Sequence, residues 1–413
     1  MLDSFGKTSA AISEIFTRSE IAPRRKILVL FGTRPEAIKL APVIRELKKS
    51  KFQTVVVSSS QHADLLAPFL KIFDIKIDYD LRVMTENQTP NETAAKILSL
   101  LDAVLEREKP EIILVQGDTT TAFAGAFAAF NRRIKIGHVE AGLRSGDALS
   151  PFPEESNRRL VSQLATFHFC ATSGNQRNLL DENIREKQIF VCGNTVVDAL
   201  ESVLKNSQPS AKIRKLIEQT AHLKRILLTT HRRESFGETM AGNLKILRSF
   251  VEKQTDVCLI FPVHPNPNVR QITDKILANR ERVYLLEPLD YVNFAALMKA
   301  AWLVVSDSGG VQEEAPSLGK PLLILRENTE RPEAIETGIA KLVGSNLSEL
   351  LADNYADETW INSVREIENP FGDGKAARRI VAILTGIFNA KTQRRKDAKF
   401  FQNNRKLQIA NRK

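Results

Sequence analysis

The sequence predicts an α/β protein built from two doubly wound halves that face each other across a cleft. Three observations carry this. Short β-branched runs alternate with amphipathic stretches, the grammar of parallel sheets covered by helices on both faces. The series of runs stops near residues 194–210 and then starts again. Finally, 413 residues exceed one ordinary hydrophobic core and suit two domains of roughly 150–200 residues.

Residues 1–24 are polar and weakly patterned and read as a loose extension. A first domain is expected over 25–195, with strand-like runs at 26–31, 54–60, 111–117, 134–140, 166–171 and 189–193. After the first run Gly32-Thr33 turns the chain and Pro35 suits a helix start. Ala37, Leu40, Ala41, Ile44 and Leu47 then recur at helical spacing, and Pro42 is expected to kink that helix. A second domain over 196–370 repeats the pattern at 225–230, 257–261, 283–287, 302–307, 321–325 and 340–343. Residues 371–390 read as a closing helix that packs back on the first domain, and 391–413 as a disordered basic tail. Such a pair of sheets places its ligand in the cleft, at the carboxyl ends of the strands.

Composition excludes several functions. No apolar run approaches the roughly 20 residues of a membrane span, and the first residues lack the pattern of a secretory signal. The three cysteines, Cys170, Cys192 and Cys258, have no metal-ligand spacing and suit buried thiols in a reducing cytoplasm. The net charge of +10 is concentrated at the end. Nine Lys and Arg against Asp397 give residues 391–413 a net +8, which leaves +2 for the other 390. The tail therefore argues for no specific nucleic-acid partner. No GxGxxG follows the first strand, which disfavours a dinucleotide cofactor.

Several strand ends carry chemistry. In 138–159 Glu140 directly follows an apolar strand, with Asp147, Glu154 and Glu155 interleaved with His138, Arg144, Arg158 and Arg159. A carboxylate at that place suits proton transfer; a solvated loop explains the remaining charges. Asp118 ends the 111–117 strand and is either a helix cap or a substrate contact. Arg34 and Lys39 flank a helix N-terminus that favours anions. His231, beside Arg232 and Arg233, is either structural or part of an anion site, and Phe261-Pro262-Val263-His264 repeats a strand ending in histidine. Ser308-Gly309-Gly310 opens a helix with bare backbone, Glu314 lies one turn on within reach of ribose hydroxyls, and Arg331 precedes another helix. Together these residues point to a nucleotide diphosphate with acid–base chemistry on its substituent, and no Cys or His cluster suggests a metal.

Read together, FGTRPEAIKLAP, QGDTT, GHVEAGLRSGD, SPFPEESNR, THRRESFG, EPLDY, DSGGVQEEAPSLGKP and TERPEA closely resemble the non-hydrolysing UDP-N-acetylglucosamine 2-epimerases, over about residues 25–388. The resemblance implies the GT-B arrangement of two Rossmann-like domains and reversible conversion of UDP-GlcNAc to UDP-ManNAc. The route it implies is anti elimination of UDP to 2-acetamidoglucal and syn re-addition, supplying ManNAc-type sugars for cell-surface polysaccharide. It assigns Asp118, Glu140 and Glu154 to catalysis, and His231 to catalysis or a diphosphate contact. It assigns Arg34 and Lys39 to the phosphate region, Phe294 with Ser308, Gly309 and Gly310 to uracil and diphosphate, Glu314 to ribose, and Arg331 to nucleotide or sugar. It also implies a homodimer and, as in some bacterial members, a second UDP-GlcNAc as allosteric activator at Gln61, His62, Gln88, Arg232 and His264. Leu289 stands where the family commonly has Gln, and Asn87 where the activator site has Arg. A hydrolysing epimerase releasing ManNAc and UDP, or a glycosyltransferase of the same fold, are the alternative readings.

Overall fold

The computed structural model describes residues 25–60, 63–85, 88–230 and 237–389. The expected terminal extension and basic tail lie outside these residues.

The first domain has a seven-stranded parallel sheet. Its strands are β1 (Lys26–Phe31), β2 (Gln53–Ser58), β3 (Tyr79–Asp80), β4 (Ile112–Gln116), β5 (Lys135–Val139), β6 (Phe167–Cys170) and β7 (Ile189–Val191), in the order 3-2-1-4-5-6-7. The second domain has β8 (Lys224–Thr229), β9 (Val257–Pro262), β10 (Val283–Leu286), β11 (Leu303–Ser306), β12 (Leu322–Ile324) and β13 (Ala340–Leu342), in the order 10-9-8-11-12-13. Each is the doubly wound order of a Rossmann-like domain, as the alternating pattern predicts. The order of strand addition reverses between β1 and β4, and again between β8 and β11. Crevices at the strand carboxyl ends open at those switch points. This puts Gly32-Thr33, Asp118, Thr230 and Ser306–Gly310 where a ligand would be held.

Central strands read as continuous apolar runs because both faces are covered. Leu28, Leu30, Ile113 and Val115 pack under the helices Pro90–Glu108 and Thr120–Asn131, while Ile27, Val29 and Phe31 pack on the opposite face. That opposite face is shared by Ala377, Ile380, Leu384 and Phe388 of the closing helix, 376–389. Its first turn is capped from a distance: the Asp198 carboxylate accepts the Ala376 and Ala377 amides at 3.1 and 2.9 Å. A further apolar cluster spans the two domains, with Ile38 and Phe69 from the first and Tyr291, Val311 and Ala315 from the second. The helix Arg34–Lys49 runs through Pro42 to Lys49. Burial of Ala41, Val43 and Ile44 on either side outweighs the one backbone bond that proline removes.

Candidate active site

The turn after β1 is built around Glu36. Thr33-Arg34-Pro35-Glu36 is a capping sequence, and the buried Glu36 carboxylate accepts the Gly32 and Thr33 amides at 3.0 and 2.7 Å and the Thr33 hydroxyl at 2.8 Å. Its other oxygen accepts the Thr119 hydroxyl at 2.7 Å, tying this turn to the one after β4. One turn into the helix, Lys39 points inwards and is buried. Arg34 lies over the Phe69 ring, 5.4 Å from its centre.

At the end of β4 it is Thr119, not Asp118, that caps the next helix, accepting the Ala122 amide at 3.0 Å. Asp118 is thereby left to pair with Arg158 at 2.6 Å. Arg158 also binds Glu155, whose carboxylate takes the Ser145 amide and Arg159 as well. Burial would raise the Glu155 carboxyl, but these donors outweigh it and hold it below the usual range. The Ser145 end of the loop 145–153 is therefore pinned from inside by a buried anion. His138, on β5, reaches the Gly117 carbonyl at 2.8 Å through Nε2, which must carry the proton because the carbonyl can only accept.

Glu140 follows β5 with a backbone φ of 63°. That left-handed conformation is uncommon for a residue with a long side chain and is held only where surroundings enforce it. Here Gln116 and Asn194 donate to its carboxylate at 3.2 and 3.3 Å, and Lys39 forms a close ion pair with it. Burial, reinforced by the Glu313 charge and opposed by Lys39, lifts the Glu140 carboxyl above its ordinary range.

The second domain completes the arrangement. Ser308 precedes the helix Gly309–Ser317, in whose second turn Glu313 and Glu314 diverge. Glu313 meets Lys39 at 2.8 Å across the cleft and accepts Arg331 Nε at 2.6 Å. Arg331 lies flat against Gly309, where a methyl group would sit 2.9 Å from its Nη1. Glu314 accepts the Tyr291 hydroxyl at 2.9 Å, and burial pushes its carboxyl up to about 7. Phe294 is half-buried in the helix Tyr291–Ala300, at the edge of the cluster shared by the domains. A second polar bond between the domains runs from the Thr172 hydroxyl to Glu333, at 2.5 Å.

The sequence model of a family described as UDP-N-acetylglucosamine 2-epimerase matches residues 45–385. The chain belongs to that family. A UDP-N-acetylglucosamine 2-epimerase from Salmonella typhimurium is 45% identical over 371 residues, covering 87% of this chain and 98% of the relative. The crystal structure of UDP-GlcNAc 2-epimerase from Neisseria meningitidis bound to UDP-GlcNAc is 44% identical, covers 87% of this chain and 100% of its own, and superposes with a TM-score of 0.82. The Methanocaldococcus jannaschii UDP-GlcNAc 2-epimerase in complex with UDP-GlcNAc and UDP is 37% identical, with a TM-score of 0.73 and coverage of 87% and 99%.

In this 2-epimerase relative, side chains from both domains meet at the cleft. Lys39 and Glu140 from the first domain join Glu313 and Arg331 from the second. Asp118, after β4, pairs with Arg158, and Glu154 begins the helix Glu154–Leu164, half-buried beside Glu155. Glu313, from the second domain, lies between the two cations Lys39 and Arg331. Gln88 sits ahead of the helix Pro90–Glu108 and accepts the Thr85 amide. His264 is on the exposed turn after β9. His231, Arg232, Gln61 and His62 lie outside the described residues. Sequence reasoning missed Glu36, Glu313 and Tyr291. The Thr33-x-x-Glu36 spacing was a usable signal for the first; nothing distinguished Glu313 from its neighbour Glu314. No helix among the described residues is long and apolar enough to cross a membrane.

Proposed function

We propose that this chain interconverts UDP-GlcNAc and UDP-ManNAc without hydrolysis, by eliminating UDP and adding it back to the intermediate glycal, and so supplies ManNAc-type units for cell-surface polysaccharide. The observation that carries the reading is Lys39 set between Glu140 and the nucleotide-side residues Glu313 and Arg331, in a family whose relatives bind UDP-GlcNAc and UDP. The C2 hydrogen is not acidified by an adjacent carbonyl, so its removal must be coupled to departure of the diphosphate. Lys39, Arg34, Arg331 and the amides at Ser308-Gly309-Gly310 stabilise the charge developing on that leaving group. Glu314 takes the ribose, and Phe294 lines the uracil side. Glu140, whose carboxyl burial lifts above its ordinary range and which faces Lys39, takes the C2 proton. Asp118 and Glu154 are the further carboxylates for return of a proton to the opposite face, with His231 on the diphosphate side. A second UDP-GlcNAc binding by Gln61, His62, Gln88, Arg232 and His264 acts as activator.

Association into a homodimer is part of the proposal. Phe127 and Phe130, 39% and 54% exposed, lie on the helix Thr120–Asn131, flanked by exposed Leu100 and Leu160 on the two helices packed against it.

The test is a single NMR experiment with UDP-GlcNAc in D2O. Deuterium is expected at C2 of both recovered sugar nucleotides, and Glu140→Gln should abolish its incorporation while UDP still binds. An active preparation without C2 exchange, or free ManNAc appearing as fast as UDP, would overturn the reading in favour of transfer or hydrolysis.

A further inference from the structure

Glu313 presents a chemical puzzle. The cleft is to receive a diphosphate, yet a carboxylate only 1% exposed stands between two of the cations that would hold it. Its two oxygens face different domains: one accepts Arg331 Nε at 2.6 Å, the other lies 2.8 Å from Lys39 Nζ. Lys39 and Arg331 belong to separate domains and carry like charge, so nothing in their own electrostatics would aim both at one point. Glu313 does so. Burial alone would raise its carboxyl, but Arg331 and Lys39 outweigh that and hold it below the usual range, so it remains an anion. The cations are in turn partly spent, since Lys39 also serves Glu140 and Arg331 lies near Glu330. A diphosphate arriving at this place must draw both side chains away from a resident carboxylate.

We propose that Glu313 is a positioning residue that aims Lys39 and Arg331 at the diphosphate and competes with it for them, so that the UDP group is held through elimination and re-addition while the epimerised sugar nucleotide can still leave. The proposal rests on the epimerase reading given above. It accounts for the fixed geometry of Arg331, which is guided on one side by Glu313 and on the other by the bare backbone of Gly309. It also explains why a helix carrying an anion site at its N-terminus carries an acidic residue one turn further on.

The test is Glu313→Gln, which keeps the shape and the ability to accept from Arg331 but removes the competing charge. UDP should bind about tenfold tighter by calorimetry, while kcat falls by about tenfold as release slows and KM for UDP-GlcNAc drops. A structural role alone would move these the other way, weakening UDP binding in step with activity. Weaker or unchanged UDP affinity therefore overturns the proposal. If Glu313→Gln does not fold, Glu313→Met, uncharged and of similar length, takes its place, and tighter UDP binding is again expected. A wild-type protein that neither binds UDP nor exchanges C2 hydrogen would instead refute the epimerase reading.

Discussion

Arg158 lies 2.6 Å from the Asp118 carboxylate and so fastens the helix Glu154–Leu164 to the turn after β4. The same guanidinium binds Glu155 at 3.0 Å, so its rigid planar fork fixes the direction of both carboxylates at once. Arg158→Lys is expected to lower kcat by about tenfold or more with little change in KM, because Asp118 and Glu154 lose their common support. Glu155→Gln, which leaves Arg158 without its buried partner, should cost on the order of 3 kcal/mol in urea unfolding. Wild-type kcat in Arg158→Lys would show that Asp118 is placed by other means.

Two histidines make the first sheet sensitive to acid. His138 and His168 are paired in register on β5 and β6 and fully buried; neither ring nitrogen of His168 finds a partner among the described residues. Burial pushes them down to about 4 and about 3. Unfolded, each titrates near ~6.5, so below that pH the unfolded chain takes up protons that the folded chain refuses. Their contribution is intact above about pH 6.5 and lost as pH falls towards the folded values. Glu36 and Glu314, which burial lifts to about 7, act in the opposite direction, so the informative quantity is a difference. The gap in stability between His168→Leu and wild type should be constant above about pH 7 and widen in favour of the variant from about pH 6 downward. A gap independent of pH would mean that His168 takes up its proton as readily in the folded protein as in the unfolded chain.

Gly309→Ala tests the placement of Arg331. The added methyl would lie 2.9 Å from Arg331 Nη1 and displace the guanidinium from its buried pair with Glu313, so the melting temperature should fall. Turnover per KM is expected to fall by about tenfold, and unaltered kinetics would place Arg331 outside the substrate's reach.

Phe130→Asp puts a charge in the exposed apolar face of the helix Thr120–Asn131. Sedimentation of the wild type should give a dimer and of the variant a monomer at micromolar concentration, because a buried unpaired charge is not tolerated at an apolar contact. A wild-type monomer would refute the assembly proposed above.

The two parallel sheets were legible because β-branched runs such as Lys26–Phe31 and Leu303–Ser306 are short, apolar and separated by helical patterns. Glu140 was equally visible, since a carboxylate directly after a buried strand has few structural reasons to be there. What stayed hidden was which charges would face each other. Glu313 and Glu314 are sequence neighbours, but the helix turns their side chains about 100° apart. One consequently meets Lys39 from the other domain, the other meets Tyr291. That choice depends on how two domains dock, and no local pattern encodes it. Asp118 was ambiguous for a smaller reason: Asp118 and Thr119 are both good caps, and the backbone took Thr119.

The closing helix has a consequence for how the chain is made. Ala377, Ile380, Leu384 and Phe388 supply part of the wall over β1, which is synthesised before the whole second domain. A nascent first domain thus emerges from the ribosome with one apolar face bare, and remains so while the whole second domain is translated. The usual order, in which an N-terminal domain finishes before the next begins, does not apply. Chains arrested at residue 370 should be cleaved by protease within 25–195, and chains released past residue 390 should resist.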